Sequence, residues 1–241
     1  MIKNYIQFNE SIKLLLVGPT EDEIWSNIKK LPLDEILRKS SKIGFLNGVK
    51  YAIEKGIGIN FDNCTALRLS VYYNNFDVVK YLVENGADIH VGDDYPIRKS
   101  SERGYIEIVK YLVEHGANIH SVEEESLKLS SIQGHLDVVK YLVEHGDNIN
   151  VNFNDDVFLK NASQYGHLDV VKYLIEHGAN VKSDMYYSLR LSAYNGHLDV
   201  VKYFVDNGYY DNDSIYIALK NAEERRYTEM INYLKSKMEE K

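Results

Sequence analysis

The chain has one cysteine, Cys64, and three prolines in 241 residues. A single thiol cannot build an intrachain disulfide framework, and it suits a reducing compartment. Long apolar runs are missing too. The stretch Leu14 to Val17 is far too short for a signal-peptide core or a membrane span, so the expected location is inside a cell. Net positive charge is also absent: the formal charge is −8 and the pI about 5.5. That argues against a nucleic-acid backbone as partner, because such binding neutralises phosphates with clustered Lys and Arg. No Gly/Ser-rich or Pro-rich stretch divides the chain.

The motifs of catalysis are lacking as well. There is no phosphate-cradling GxxxxGK[ST], no GxGxxG, no Gly-x-Ser-x-Gly elbow and no His-Glu-x-x-His. Cys64 has no evident base. The eight histidines fall into columns: His135, His167 and His197; His115, His145 and His177; His90 and His120. Members of a column are one repeat apart, about 10 Å, too far to share a zinc that needs ligands at about 2.0 Å. The expectation is a protein that is not an enzyme, with no catalytic residue, no cofactor and no metal.

What the sequence has is repetition. Gly134 to Ile149 reads GHLDVVKYLVEHGDNI, and the phrase returns from Gly166 and Gly196. Earlier copies start at Asn74 and Gly104, and worn ones at Gly44 and Arg226. The lysine of the VKY phrase stands at Lys50, Lys80, Lys110, Lys140, Lys172 and Lys202, so one step is 32 residues and the others are 30. Leu136, Val139, Leu142 and Val143 share one helical face. Asp137 suits the positive end of the helix, and Lys140 is spaced to pair with Asp137 and Glu144. Gly146 is expected to end this helix in a left-handed turn. A shorter helix, Ser126 to Gln133, precedes it. Its Ser130 and Ser131 align with Ser70, Ser100 and Ser101, Ala162 and Ser163, and Ser192 and Ala193, a small-residue column that lets helices approach closely. One such pair cannot bury its own apolar face, whereas a stack of seven can.

These phrases resemble ankyrin repeats. The matching residues are GHLDVVKYL with the closing Gly86-Ala87-Asp88, Gly116-Ala117-Asn118 and Gly178-Ala179-Asn180. Cys64 to Ser70 stands where ankyrins carry TPLHLA, and Pro96 keeps that phrase's proline. The likeness runs from about Glu35 to Leu234. Ankyrin repeats usually have about 33 residues; here the shortfall clips the projecting hairpin finger. This compact variety resembles the expansions in very large DNA viruses. The resemblance implies an all-α solenoid of about seven stacked helix-turn-helix repeats with short connectors. It further implies protein binding without chemistry, inside a cell (a host cytoplasm if viral).

The expected organisation is an N-terminal two-helix cap, 1–34, then repeats 35–64, 65–94, 95–124, 125–156, 157–186, 187–216 and a polar capping repeat 217–241. Tyr5, Phe8, Ile12, Leu15 and Leu16 predict a first cap helix. Thr20 with Glu23 predicts a capping box for a second, carrying Ile24, Trp25, Ile28 and Leu31. Leu31 to Leu37, LPLDEIL, faintly resembles the opening of an F-box. The alternative reading is therefore a structural protein or ubiquitin-ligase adaptor docking through this segment.

Where the family has a histidine, each repeat has a base: Arg38, Arg68, Arg98, Lys128, Lys160, Arg190 and Lys220. These either form a cationic stripe for an anionic ligand or, the favoured reading, pair with the acidic connector beside them. In the family the two residues before the first-helix glycine face the concave side, and here they vary while the framework holds. The expected partner-binding residues are Tyr72, Tyr73, Glu102, Arg103, Ile132, Gln133, Gln164, Tyr165, Tyr194 and Asn195, with Phe153 and Tyr186 in the connectors. Exposed tyrosine anchors interfaces well. The expected partner is another protein, one with a basic patch to match the acidic connectors, bound by a monomer.

Overall fold

A computed structural model of the protein describes residues 20–146 and 149–239. The chain falls into two compact units, Met1–Asp88 and Ile89–Lys241. The first contains α1 (Glu21–Ile28), α2 (Leu33–Ile43), α3 (Leu46–Glu54), α4 (Phe61–Tyr72) and α5 (Phe76–Glu84). The second contains α6 (Val91–Arg103), α7 (Ile106–Glu114), α8 (Ser121–Gln133), α9 (Leu136–His145) and α10 (Phe153–Tyr165). It continues with α11 (Leu168–Glu176), α12 (Ser183–Asn195), α13 (Leu198–Asp206), α14 (Asn212–Arg225) and α15 (Thr228–Glu239). All described regular elements are helices.

In the first unit α1 opens as expected. The Thr20 side chain accepts from the Glu23 amide, and Glu23 returns a bond to the Thr20 amide at 2.8 Å. The helix expected over Tyr5 to Leu16 lies outside the described residues. Pro32 caps α2, and Leu37 is fully buried, so LPLDEIL builds the first repeat's core. α2 and α3 pack unusually close. A Cβ on Gly48, where other repeats carry Val, Ile or Met, would lie 2.1 Å from the Ser40 hydroxyl.

In the second unit each repeat is a first helix packed on its own second helix. First helices stack on first helices of the next repeat, α6 on α8, α8 on α10, α10 on α12 and α12 on α14. Their meeting surface is the small-residue column. Ser100, Ser101, Ser130, Ser131, Ala162, Ser163, Ser192 and Ala193 are fully buried. The hydroxyls of Ser100, Ser130 and Ser192 turn back to carbonyls in their own helices, so most of the contact is apolar. Second helices bury Ile108, Val109 and Leu112 and their equivalents against the first helices.

The connectors are more than simple turns. Each opens the first helix with three consecutive residues in left-handed geometry: Asp62-Asn63-Cys64, Gly92-Asp93-Asp94, Val122-Glu123-Glu124, Asn154-Asp155-Asp156 and Asp184-Met185-Tyr186. α14 lacks this turn. It starts from Asp211 in extended backbone, whose carboxylate takes the Ser214 amide at 2.7 Å. A second departure is Gly146. The closing glycines Gly56, Gly86, Gly116, Gly178 and Gly208 have positive φ, but Gly146 is extended at φ −81° and ψ 118°. It sits in the repeat with two extra residues. No helix among the described residues is long and apolar enough to cross a membrane.

Candidate functional site

Most of the polar columns are spent between repeats. Arg38 meets the Asp62 carboxylate at 2.7 Å and the Thr65 hydroxyl at 3.4 Å. Arg98 pairs with Glu125 and donates to the Gly92 and Asp93 carbonyls at 2.8 Å. Lys160 lies 3.9 Å from the Asp184 carboxylate and over the Tyr187 ring. At these positions the base serves the next connector, as the favoured reading has it.

The histidines are also occupied. His135, His167 and His197 donate from Nε2 to the carbonyls of Glu102, Ile132 and Gln164 in the preceding repeat, at 3.1, 2.8 and 2.8 Å. The His135, His167 and His197 rings lie against the helix-ending glycines of the preceding repeats, Gly104, Gly134 and Gly166. A Cβ on Gly134 would come within 2.3 Å of His167 Nδ1. His115, His145 and His177 bond back to the carbonyls of Tyr111, Tyr141 and Tyr173. Among the described residues no three His, Cys, Asp or Glu converge to hold a metal.

On the second helices of the second unit, the VKY lysines cover a tyrosine of the next repeat. Lys110 covers Tyr141 at 5.6 Å, Lys140 covers Tyr173 at 5.6 Å and Lys172 covers Tyr203 at 5.4 Å. Glu144 accepts from the Tyr173 hydroxyl at 3.4 Å. Lys140 and Glu144 therefore converge on Tyr173, in place of the expected pairing along their own helix. Burial raises the Tyr173 hydroxyl to about 12, with Glu144 adding to the shift, and burial also raises Tyr141 and Tyr203.

The variable first-helix ends remain. Tyr72, Tyr73, Tyr165 and Tyr194 are 37%, 41%, 50% and 41% exposed. Arg103 and Gln133 are exposed, while Glu102, Ile132, Gln164 and Asn195 are half-buried. In the first unit the Tyr72 and Tyr73 rings touch edge to face at 4.9 Å, and Lys42 lies over Tyr73. In the second, the Arg225 guanidinium covers Tyr194 at 4.0 Å. The connector residues behave differently. Phe153 is half-buried and stacks on the core ring of Phe158, and Tyr186 is half-buried.

Tyr194 lines a cleft. Tyr187, Arg190, Leu191, Ile217 and Asn221 complete it, enclosing about 310 Å³ between α12 and α14. Sequence reasoning missed Leu191, Ile217 and Asn221, and treated Arg190 only as a member of the base column. A signal existed: from Arg68 on, the residue three before each base reads Thr65, Tyr95, Glu125, Val157, Tyr187 and Ile217, and only two of these lack any polar or π group.

Compared with known proteins, the chain matches the family description "Ankyrin repeats (3 copies)" over residues 3–93, 97–185 and 159–241. No curated protein matches. Among solved structures it is similar to the human ASB11 ankyrin repeat domain, at 24% identity and a TM-score of 0.62, covering 73% of this chain and 84% of that one.

Proposed function

The chain belongs to the ankyrin-repeat family, and from that premise we propose that it is a non-catalytic module that binds a protein partner through its exposed first-helix ends. Repeats of this family are in general protein-interaction modules. The observation that carries the reading is the solvent exposure of Tyr72, Tyr73, Tyr165 and Tyr194 at one register. Elsewhere in the chain the VKY tyrosines are packed between repeats. Large, stiff side chains with a hydroxyl tip give contact area at low entropic cost. Exposed carboxylates at the connector tips, Asp93, Glu123 and Asp155, favour a partner with a basic patch at that edge. Arg38, Arg98 and Lys160 already neutralise Asp62, Glu125 and Asp184, so that attraction rests on few charges.

The adaptor reading finds less support. Leu37 is buried in the first repeat, which removes it from any docking motif. Affinity capture with the full chain followed by mass spectrometry supplies the partner. The variant with Tyr72, Tyr73, Tyr165 and Tyr194 all changed to Ala is expected to lose it. Unchanged affinity, with helical content intact, refutes the placement.

A further inference from the structure

Arg190 departs from three other members of its column. Those three reach into the following repeat for an acid, a hydroxyl or a ring: Arg38 finds Asp62 and Thr65, Arg98 finds Glu125, and Lys160 finds Asp184 and Tyr187. The positions that would serve Arg190 hold Ser214 and Ile217. Ser214 is buried and committed to Asp211. Ile217 is 36% exposed and offers no polar atom. Arg190 instead turns back on its own repeat. It lies over the Tyr187 ring at 5.0 Å and donates to the Asp184 carbonyl at 3.3 Å, and it makes no ion pair among the described residues.

The same end of the molecule holds a second cation, Arg225, spread over Tyr194. Three nearby carboxylates are engaged. Asp184 is paired with Lys160, Asp211 with the Ser214 amide, and Glu223 with Lys220 and Lys235. Asp213 and Glu224 are exposed on α14. The cleft between the two arginines has an apolar floor of Leu191 and Ile217 and walls of Tyr187 and Tyr194.

We propose that this cleft docks an acidic segment of a protein partner, with an apolar side chain seated on Leu191 and Ile217 and carboxylates meeting Arg190 and Arg225. Charge complementarity selects the occupant: neither cation makes an ion pair among the described residues, Asp211 acting on Arg190 only as a minor influence from a distance, and apolar and aromatic side chains line the cleft beside them. The spacing sets its pattern. Tyr187 and Tyr194 are seven residues apart on one helix, about 10 Å. An extended chain covers that distance in about three residues. The fitting segment therefore has two acids about three positions apart with an apolar residue between them. This inference rests on the protein-binding reading and adds to the basic patch favoured at the connector edge an acidic segment at this cleft.

The test selects a random twelve-residue peptide library on the full chain and measures the recovered peptides by fluorescence anisotropy. The expected result is enrichment of acid-apolar-acid patterns. Binding should weaken about tenfold or more in Arg190→Glu and Arg225→Glu, and in Ile217→Ser. Peptides with lysine in place of the acids should then bind Arg190→Glu/Arg225→Glu better than wild type. Circular dichroism checks that each variant keeps its helices. Enrichment of neutral or basic peptides overturns the proposal, as does binding indifferent to Arg190 and Arg225. Peptides lost only on changing Tyr72, Tyr73 and Tyr165 would sink the cleft while leaving the protein-binding reading standing.

Discussion

A single glycine–histidine contact shows how the repeats are locked. Gly134 ends α8 with φ +75°, a conformation that costs other residues about 1–2 kcal/mol. His167 of the next repeat lies over it and donates to the Ile132 carbonyl at 2.8 Å. Gly134→Ala thus meets two penalties, the backbone one and a Cβ 2.3 Å from His167 Nδ1. His167→Ala removes the second and loses a hydrogen bond worth about 1 kcal/mol. The double variant is expected to be more stable than the sum of the singles by about 1 kcal/mol or more, because the clash is counted once and then relieved. Chemical denaturation of the four proteins measures this coupling. Additive losses would show that ring and glycine do not touch. The sequence displayed this column as GH pairs, but a histidine after a glycine does not announce that its ring reaches the carbonyl 35 positions earlier.

Helices and connectors were unequally legible. The 3.6-residue periodicity of LDVVKYL marks α9, α11 and α13, the Thr20/Glu23 box marks α1, and the serine and alanine column marks the seam between first helices. Each is a short-range pattern that propensity and burial write directly into residue types. The three-residue left-handed turns were not legible. Gly92-Asp93-Asp94 and Asn154-Asp155-Asp156 carry the residues that tolerate such geometry. Val122-Glu123-Glu124 and Asp184-Met185-Tyr186 mostly do not, so tertiary contacts override local preference. The tolerant turns have a tertiary tie as well: Asp94 and Asp156 are buried carboxylates that accept the Asn118 and Asn180 amides of the next repeat at 2.9 and 2.7 Å. Val122 bears the strain most plainly, a β-branched residue at φ 51° and 50% exposed. Val122→Gly removes little packing and releases that strain, against a smaller rise in unfolded-state entropy. The variant is expected to be more stable by about 1 kcal/mol, reversing the usual sign of a glycine substitution. A fall in thermal midpoint would mean that the backbone here is ordinary.

At the scale of the molecule, the sequence shows no seam: repeats pass through residue 88 at an unbroken spacing of thirty. The structure nonetheless divides at Asp88–Ile89. Periodicity records what each repeat needs from a neighbour, and it is blind to how strongly successive repeats cohere. The second unit has what independent folding requires. Its main packing joins helices of one repeat or of adjacent repeats. It buries a continuous core, from Ile97 and Leu112 through Phe158 and Leu174 to Phe204 and Leu234. It also ends in a polar repeat, where Glu223 ties Lys220 to Lys235. Stability in such arrays is close to a sum of repeat and neighbour terms, so losing distant repeats lowers it without abolishing it. The fragment Ile89–Lys241, produced alone, is expected to keep its helical circular dichroism and to unfold in one cooperative thermal transition. Its cleft between α12 and α14 should bind the same acidic peptides as the full chain. A fragment that is unfolded in isolation would show that the seam is geometric only, and that the array draws its stability from repeats on both sides of it.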